Sequence, residues 1–322
     1  MPAFIEELEE KIVNLNYKIT KEEALKLYDE DLKELCAAAN RIRIKCSGRV
    51  SSVCSIVNAK SGNCSENCKY CAQSAHWKTQ CEKTPFIQPE KAAEYSDKAY
   101  RNSVSRISLV ASGRGVSGKE FDQGIECFKQ MQQKTPDMAL CASFGIIPFE
   151  KMQKLAECGV TRYHHNLEAG KNFYANICTT HTYDERIETI KNAQKAGLEI
   201  CCGGIIGMGE TRSDRIDMAL EIRDLNVQSV PINVLTPIPG TPLQDIAEIS
   251  KEEVLRTIAI FRFVMPAQVL RCAAGRKKLG NNGIDAFNAG ANALISGDFL
   301  TVSGSTNEED IQMLKSLGYT IG

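Results

Sequence analysis

Residues 63–73 read NCSENCKYCAQ, which places Cys64, Cys68 and Cys71 at C-x3-C-x2-C spacing with Tyr70 directly before the third cysteine. Three thiols held so close together serve one metal centre rather than three separate packing sites. Zinc usually closes its tetrahedron with two ligand pairs, and no second Cys or His pair follows at zinc-finger distance. Iron–sulfur clusters take Cys thiolates. With three in the run, a four-iron cluster would keep one iron open to another ligand.

Such a loop needs a frame. From residue 50 onward, β-rich runs near 50–58, 104–110, 138–143, 161–166, 198–204, 228–235, 268–273 and 291–296 alternate with helix-like stretches. Those stretches lie at 90–101, 121–133, 148–157, 183–196, 212–225, 251–265 and 282–289, and a last helix is expected near 307–317. Thr182-x-x-Glu185 and Ser250-x-x-Glu253 read as capping boxes. Gly159, Gly197 and Gly318 fall where helices should stop. Strands each followed by a helix, at this count, predict an α/β fold of the (βα)8 TIM-barrel class. An open doubly wound sheet is the rival, but no glycine-rich phosphate loop opens the first helix. Residues 1–45 read as an N-terminal helical extension of two helical patterns, with a capping box at Thr20 ahead of apolar Ala24, Leu25, Leu27 and Leu32. Residues 46–322 are then the barrel and its C-terminal segment. Barrel ligands gather at the C-terminal ends of the strands, so the Cys64 loop, after the first strand, is expected at that face.

Alternation along strands sorts the interior candidates. Arg106 and Ser108 share a face, Cys201 and Cys202 point to opposite faces, and so do Arg271 and Cys272. An arginine in a barrel strand needs anionic company or water. The formal charge of −1 gives no basis for a nucleic-acid or anionic-membrane partner. No run of 18 apolar residues occurs and the start MPAFIEELEE is not a signal peptide, so a cytoplasmic enzyme is expected. Fourteen cysteines without an export signal argue for metal chemistry over disulfides.

The Cys64 loop, with its aromatic residue before the third cysteine, resembles the signature of the radical S-adenosylmethionine (SAM) superfamily. The wider stretch NAKSGNCSENCKYCAQSAHWKT resembles the biotin synthases within it. The resemblance runs from about residue 30 to the C terminus, including VLRCAAGRKKL and the GAN–GD turn at 290–298. It implies a [4Fe–4S] cluster on Cys64, Cys68 and Cys71 whose open iron chelates the methionine part of SAM, with Tyr70 beside it. Reductive cleavage of SAM would yield a 5′-deoxyadenosyl radical, and dethiobiotin, attacked at C9 and C6, would become biotin. A flavodoxin- or ferredoxin-type electron donor and a homodimer are implied as well. Residues 203–210, GGIIGMGE, fit the pattern G-x-I-x-G-x-x-E, in which Ile205 packs on adenine. Within 163–168, YHHNLE, the resemblance assigns Asn166 and Glu168 to the substrate and the SAM ribose; the family more often carries Asp where Glu168 stands. Asn233 is similar to an Asn contacting both ligands, and Lys60 matches a Lys close to the substrate pocket.

The same resemblance implies an auxiliary iron–sulfur cluster deep in the barrel that gives up the inserted sulfur. Its usual form is [2Fe–2S], held by cysteines on strands two, three and five and an arginine on strand seven. Cys141, Cys201 and Arg271 match, but the strand-two position is Ser108. Cys54, on the first strand, stands where the usual form has a small polar residue facing the cavity. Cys54, Cys141 and Cys201 would offer three thiolates to a four-iron cluster with an extra sulfide, with Arg271 stabilising its charge or holding the sulfide; the other form is [2Fe–2S] with Ser108. Cys202 and Cys272 are outside candidates. Cys36, Cys46, Cys81, Cys127, Cys158 and Cys178 are expected to act as small apolar residues. Two rivals stand beside this reading: a related radical SAM enzyme with another small substrate, and an electron-transfer protein, which would need no SAM pocket.

Overall fold

A computed structural model describes residues 3–297 and 305–322, so Asp298 of the expected GD turn lies outside the described residues. The strand-like runs form β1 (Val50–Lys60), β2 (Arg106–Ala111), β3 (Ala139–Ser143), β4 (Val160–His164), β5 (Glu199–Cys201), β6 (Gly204–Ile206), β7 (Ser229–Val234), β8 (Val269–Cys272) and β9 (Ala293–Ile295). Every neighbouring pair is parallel, and β9 pairs with β1 from Ser52↔Ala293 to Cys54↔Ile295, which closes the sheet into a barrel. The expected fifth strand, 198–204, is split: β5 and β6 both pair with β7 and occupy one barrel position. The break falls where the chain crowds the next strand, since a Cβ on Gly203 would lie 1.9 Å from the Pro231 carbonyl oxygen. Only glycine lets two backbones approach so closely. A short β10 (Thr320–Ile321) pairs with the start of β1; two residues are too few to leave a period in the sequence.

Helices fill the crossovers: α4 (Pro89–Arg101), α5 (Gly118–Lys134), α6 (Phe149–Glu157), α8 (Tyr183–Lys195), α9 (Arg212–Asp224), α10 (Lys251–Val264), α11 (Ile284–Asn288) and α12 (Asn307–Ser316), with the single turn α7 (Lys171–Tyr174) before α8. The Thr182 side chain caps α8 in a full capping box. Ser250 accepts the backbone N–H of Glu253 at the start of α10. Ahead of the barrel run three α-helices, not two: α1 (Phe4–Leu15), α2 (Lys21–Lys26) and α3 (Leu32–Ser47). The third packs Leu35, Ala38, Ala39 and Ile42, all fully buried, toward α10.

The apolar core lies between strands and helices, with Ile107, Leu109, Leu140 and Ala142 facing Phe128, Phe144 and their neighbours. The inner faces differ. TIM-barrel interiors are usually filled by bulky branched residues, but here Arg106, Ser108, Cys141, Arg162, Cys201 and Arg271 point inward and surround a cavity of about 360 Å³.

Candidate active site

At the rim, the segment after β1 carries the cysteine loop. The Cys64 N–H donates to the Gln73 carbonyl (3.0 Å) and the Ala75 N–H to the Cys64 carbonyl (2.8 Å), folding the loop back on itself. The Cys68 carbonyl accepts from the Cys71 N–H (3.1 Å) and from the Trp77 indole (2.9 Å). Tyr70, Cys71, Ala72 and Gln73 face the cavity. Burial pushes Cys71 up to about 11 and Cys64 upward as well. These thiols therefore keep their protons until a metal displaces them.

Across the rim, residues after β4 meet β6. Asn166 Oδ1 accepts the Gly203 N–H (3.0 Å), and the Ile205 N–H donates to the Glu168 carbonyl (2.9 Å). Glu168 sits at φ 70°, a left-handed conformation costly for a residue with a side chain. Arg186 on α8, fully enclosed, donates to the Asn166 carbonyl (2.8 Å) and lies 4.0 Å from a Glu168 carboxylate oxygen. Asn233 on β7 is fixed at both ends: its Nδ2 donates to the Gly204 carbonyl (3.1 Å) and its Oδ1 accepts the Ala274 N–H (3.2 Å). Glu210 accepts from the N–H groups of Gly207 and Met208 (2.8 and 2.7 Å) and from Arg215 Nε (2.6 Å), so one carboxylate sets the path of the glycine loop.

The deep end gathers sulfur and positive charge. By register Cys54 stands beside Arg106 and Ile295, Ser108 beside Cys141, and His164 beside Cys201. Burial pushes Cys141 up to about 12. Burial also acts to raise Cys201, but His164, Arg271 and Arg162 outweigh it and bring that thiol down to about 6. Arg162 pairs with Glu199 at 2.8 Å, and Arg106 reaches the same carboxylate at 3.4 Å. Arg271 spends its donors on the barrel: Nη1 on the carbonyls of Ser52 (3.0 Å) and Leu294 (2.7 Å), Nη2 on Ser52 Oγ (2.8 Å), and Nε on Ser229 Oγ (3.4 Å). The Ser108 hydroxyl is buried without a hydrogen-bond partner among the described residues. All fourteen cysteines are free thiols. Unpaired soft donors at both ends, guanidinium groups and an orphaned hydroxyl fit iron–sulfur clusters.

The structure thus brings Tyr70, Cys71, Asn166, Glu168, Ile205, Asn233, Cys54, Cys141, Cys201 and Arg271 to one cavity. Cys64 and Cys68 belong to the same loop but do not line the cavity. Cys202 and Cys272 are buried but turned away from the cavity, as alternation requires. Lys60 is not brought there. The β1–β2 register shifts between Asn58 and Lys60, breaking the alternation that carries Cys54 and Ile56 inward. Its Nζ pairs instead with Glu120 on α5 at 2.8 Å. Three residues escaped the sequence reading. His164 shares the inward face of Arg162 and Asn166, a signal that alternation offered. Arg186 lies on a helix, where no strand period points to it. Cys178 has polar company rather than apolar packing alone: Cys68 Sγ lies 3.7 Å from it and His181 Nδ1 3.3 Å.

Residues 59–222 match the Radical SAM superfamily, and 231–320 match the Biotin and Thiamin Synthesis associated domain. The chain is 49% identical to the biotin synthase of Fusobacterium nucleatum, over 99% of this chain and 91% of that one. To the biotin synthase of Clostridium tetani it is 47% identical, over 100% and 99%. Among solved structures, methylornithine synthase PylB superposes with a TM-score of 0.82 at 17% identity, covering 98% of this chain and 97% of that one. The hydrogenase maturase HydG gives 0.84 at 17% identity, covering 99% and 75%. These two likenesses speak for the barrel; the sequence matches speak for the family. With near-complete coverage at such identity, the chain belongs to the biotin synthase family of radical SAM enzymes.

Proposed function

We propose that this chain converts dethiobiotin to biotin, with SAM cleaved at the rim and sulfur drawn from an auxiliary cluster at the deep end. The observation that carries this reading is one shared cavity of about 360 Å³, with Tyr70 and Cys71 at its mouth and Cys54, Cys141 and Cys201 at its floor. A small substrate between them would face both ends at once. When bound, the rim cluster supplies the electron for SAM cleavage and the floor cluster supplies sulfide; the hard chemistry belongs to these groups.

The chain's own residues bind, orient and exclude water. Cys64, Cys68 and Cys71 hold the [4Fe–4S] cluster beside Tyr70. Ile205 packs on adenine, and Glu168, steadied by Arg186, takes the ribose. Asn166 and Asn233, each tied to backbone groups, meet ligand with groups already ordered. Cys54, Cys141 and Cys201 hold a four-iron auxiliary cluster with an extra sulfide. Arg271 has most of its N–H groups committed to the barrel, so it acts there chiefly as a fixed positive charge. Lys60, paired with Glu120, has no part in this site. The working form is a cytoplasmic homodimer supplied by a flavodoxin- or ferredoxin-type donor, a reading that rests on family membership.

The test is anaerobic reconstitution followed by assay with SAM, reductant and dethiobiotin. Biotin formation with about eight irons per chain, as two four-iron clusters require, is the expected result. Deoxyadenosine release indifferent to dethiobiotin, with no thiolated product, would point to another small substrate.

A further inference from the structure

Cys178 lies outside the signature loop, yet its sulfur is 3.7 Å from that of Cys68. The closeness is built by the backbone. Residues 67–69 run against 177–180: the Lys69 N–H donates to the Ile177 carbonyl (2.9 Å), the Thr179 N–H to Asn67 Oδ1 (2.9 Å), and the Asn67 N–H to Thr180 Oγ1 (3.1 Å). These bonds lace the two segments on both sides of the Cys68–Cys178 pair and leave the two cysteines opposite each other. Both are buried, 8% and 4% exposed.

His181 joins them to make a cluster of two sulfurs and a ring nitrogen, the donor set of a mononuclear metal site. Its hydrogen bonds argue against that use. Arg186 Nη2 lies 2.9 Å from His181 Nε2, and a guanidinium only donates, so Nε2 is the acceptor and Nδ1 carries the proton. That proton faces the Glu66 carboxylate at 2.5 Å and Cys178 at 3.3 Å. A metal on Nδ1 would force an N–H at Nε2 against the guanidinium. The polar network therefore orients Cys178 toward Cys68 without offering a metal a free nitrogen.

We infer that Cys178 is a resolving cysteine for Cys68: in the cluster-free chain, the pair closes to a reversible disulfide under peroxide. The inference rests on Cys68 being a ligand of the rim cluster, since with the cluster in place the Cys68 thiolate is engaged. The reaction takes hydrogen peroxide as oxidant. Two S–H bonds and the O–O bond break, one S–S bond and two O–H bonds form, the sulfurs lose two electrons, and peroxide becomes two molecules of water. A thiol with a neighbour in reach stops at the disulfide, whereas one without proceeds to sulfinic acid, which dithiols do not reverse. The sulfurs must close from 3.7 Å to the roughly 2.05 Å of a bond.

The experiment strips iron from the purified enzyme with a chelator under anaerobic conditions, adds a slight excess of hydrogen peroxide, blocks free thiols and maps the peptides by mass spectrometry. A Cys68–Cys178 peptide as the main disulfide, lost on dithiothreitol treatment with full recovery of cluster loading, is the expected result. In Cys178→Ser that peptide is absent, Cys68 appears as sulfinic acid, and cluster loading after peroxide and reduction falls roughly threefold or more below wild type. Cys178 still open to alkylation while Cys68 pairs with Cys64 or Cys71, or is sulfinic in wild type, overturns the inference. Should Cys178→Ser fail to fold, the wild-type map decides by itself. Cys68→Ala is the separate control: full SAM cleavage by that variant would overturn the cluster assignment, whatever the disulfide map shows.

Discussion

Ser108 and Cys141 stand side by side on β2 and β3, one a buried hydroxyl whose only neighbouring acceptor among the described residues is the other, a buried thiol. A hydroxyl is a harder and weaker iron ligand than a thiolate. Cys54, across the floor, is the third thiol that can replace it. Cys54→Ser should therefore remove the auxiliary cluster and biotin formation while SAM cleavage continues, and Ser108→Ala should leave both within about twofold of wild type. Iron content and deoxyadenosine release measure the two effects separately. If Ser108→Ala strips the second cluster and Cys54→Ser does not, the strand-one ligand is wrong.

The Lys60–Glu120 pair makes a contrary case. Half-exposed ion pairs contribute on the order of 0–1 kcal/mol. Lys60→Ala should thus leave the KM for dethiobiotin within about twofold and cost little stability. A rise of tenfold or more in KM would mean that the side chain leaves Glu120 and enters the cavity when substrate binds.

Lys60 also shows where sequence reading ends. Period-two alternation put Arg106 and Ser108 on one face and set Cys201 against Cys202 and Arg271 against Cys272, and those strands pair in regular register, while Cys54 and Cys141 were reached through the family resemblance. Lys60 was reached through the family resemblance, and the register shift between Asn58 and Lys60, which accompanies its absence from the cavity lining, leaves no mark in composition. The splitting of the fifth strand at Gly203 is of the same kind: the glycine is visible, but its reason, the Pro231 carbonyl on the next strand, is a tertiary contact. Cys178 was illegible for a related cause. It lies 110 residues from Cys68, and only the folded chain lays the two segments together.

Glu210 shapes the loop of the proposed SAM site without touching the cavity. Its two oxygens accept two backbone N–H groups and an arginine. In Glu210→Gln one acceptor becomes a donor and faces an N–H, leaving buried donors unpaired at a cost of about 1–3 kcal/mol. The glycine loop carrying Ile205 would loosen. SAM affinity, followed by calorimetry on the cluster-loaded enzyme, should fall roughly tenfold or more. Unchanged affinity would mean that the loop holds its path without the carboxylate.

Acid stability should reflect Glu253, which ties α10 to α9 through Arg212 (2.7 Å) and Arg215 (2.7 Å). Burial acts to raise its carboxyl, but the two guanidinium groups outweigh burial and hold it below the usual carboxylate range. A folded-state value below the unfolded one means that the unfolded chain binds the proton more tightly. The contribution is therefore fully present above the unfolded carboxylate value of about 4.3 and disappears as pH falls through the lower, folded value. Glu253→Gln removes the charge but keeps the shape and one oxygen acceptor. Its melting temperature should lie a few degrees below wild type at pH 7, roughly the effect of losing 1–2 kcal/mol, and the two curves should converge as the pH drops below about 4. The same gap at pH 3 as at pH 7, in scans at fixed ionic strength, would show that the carboxylate's charge contributes nothing and that packing alone separates the two proteins.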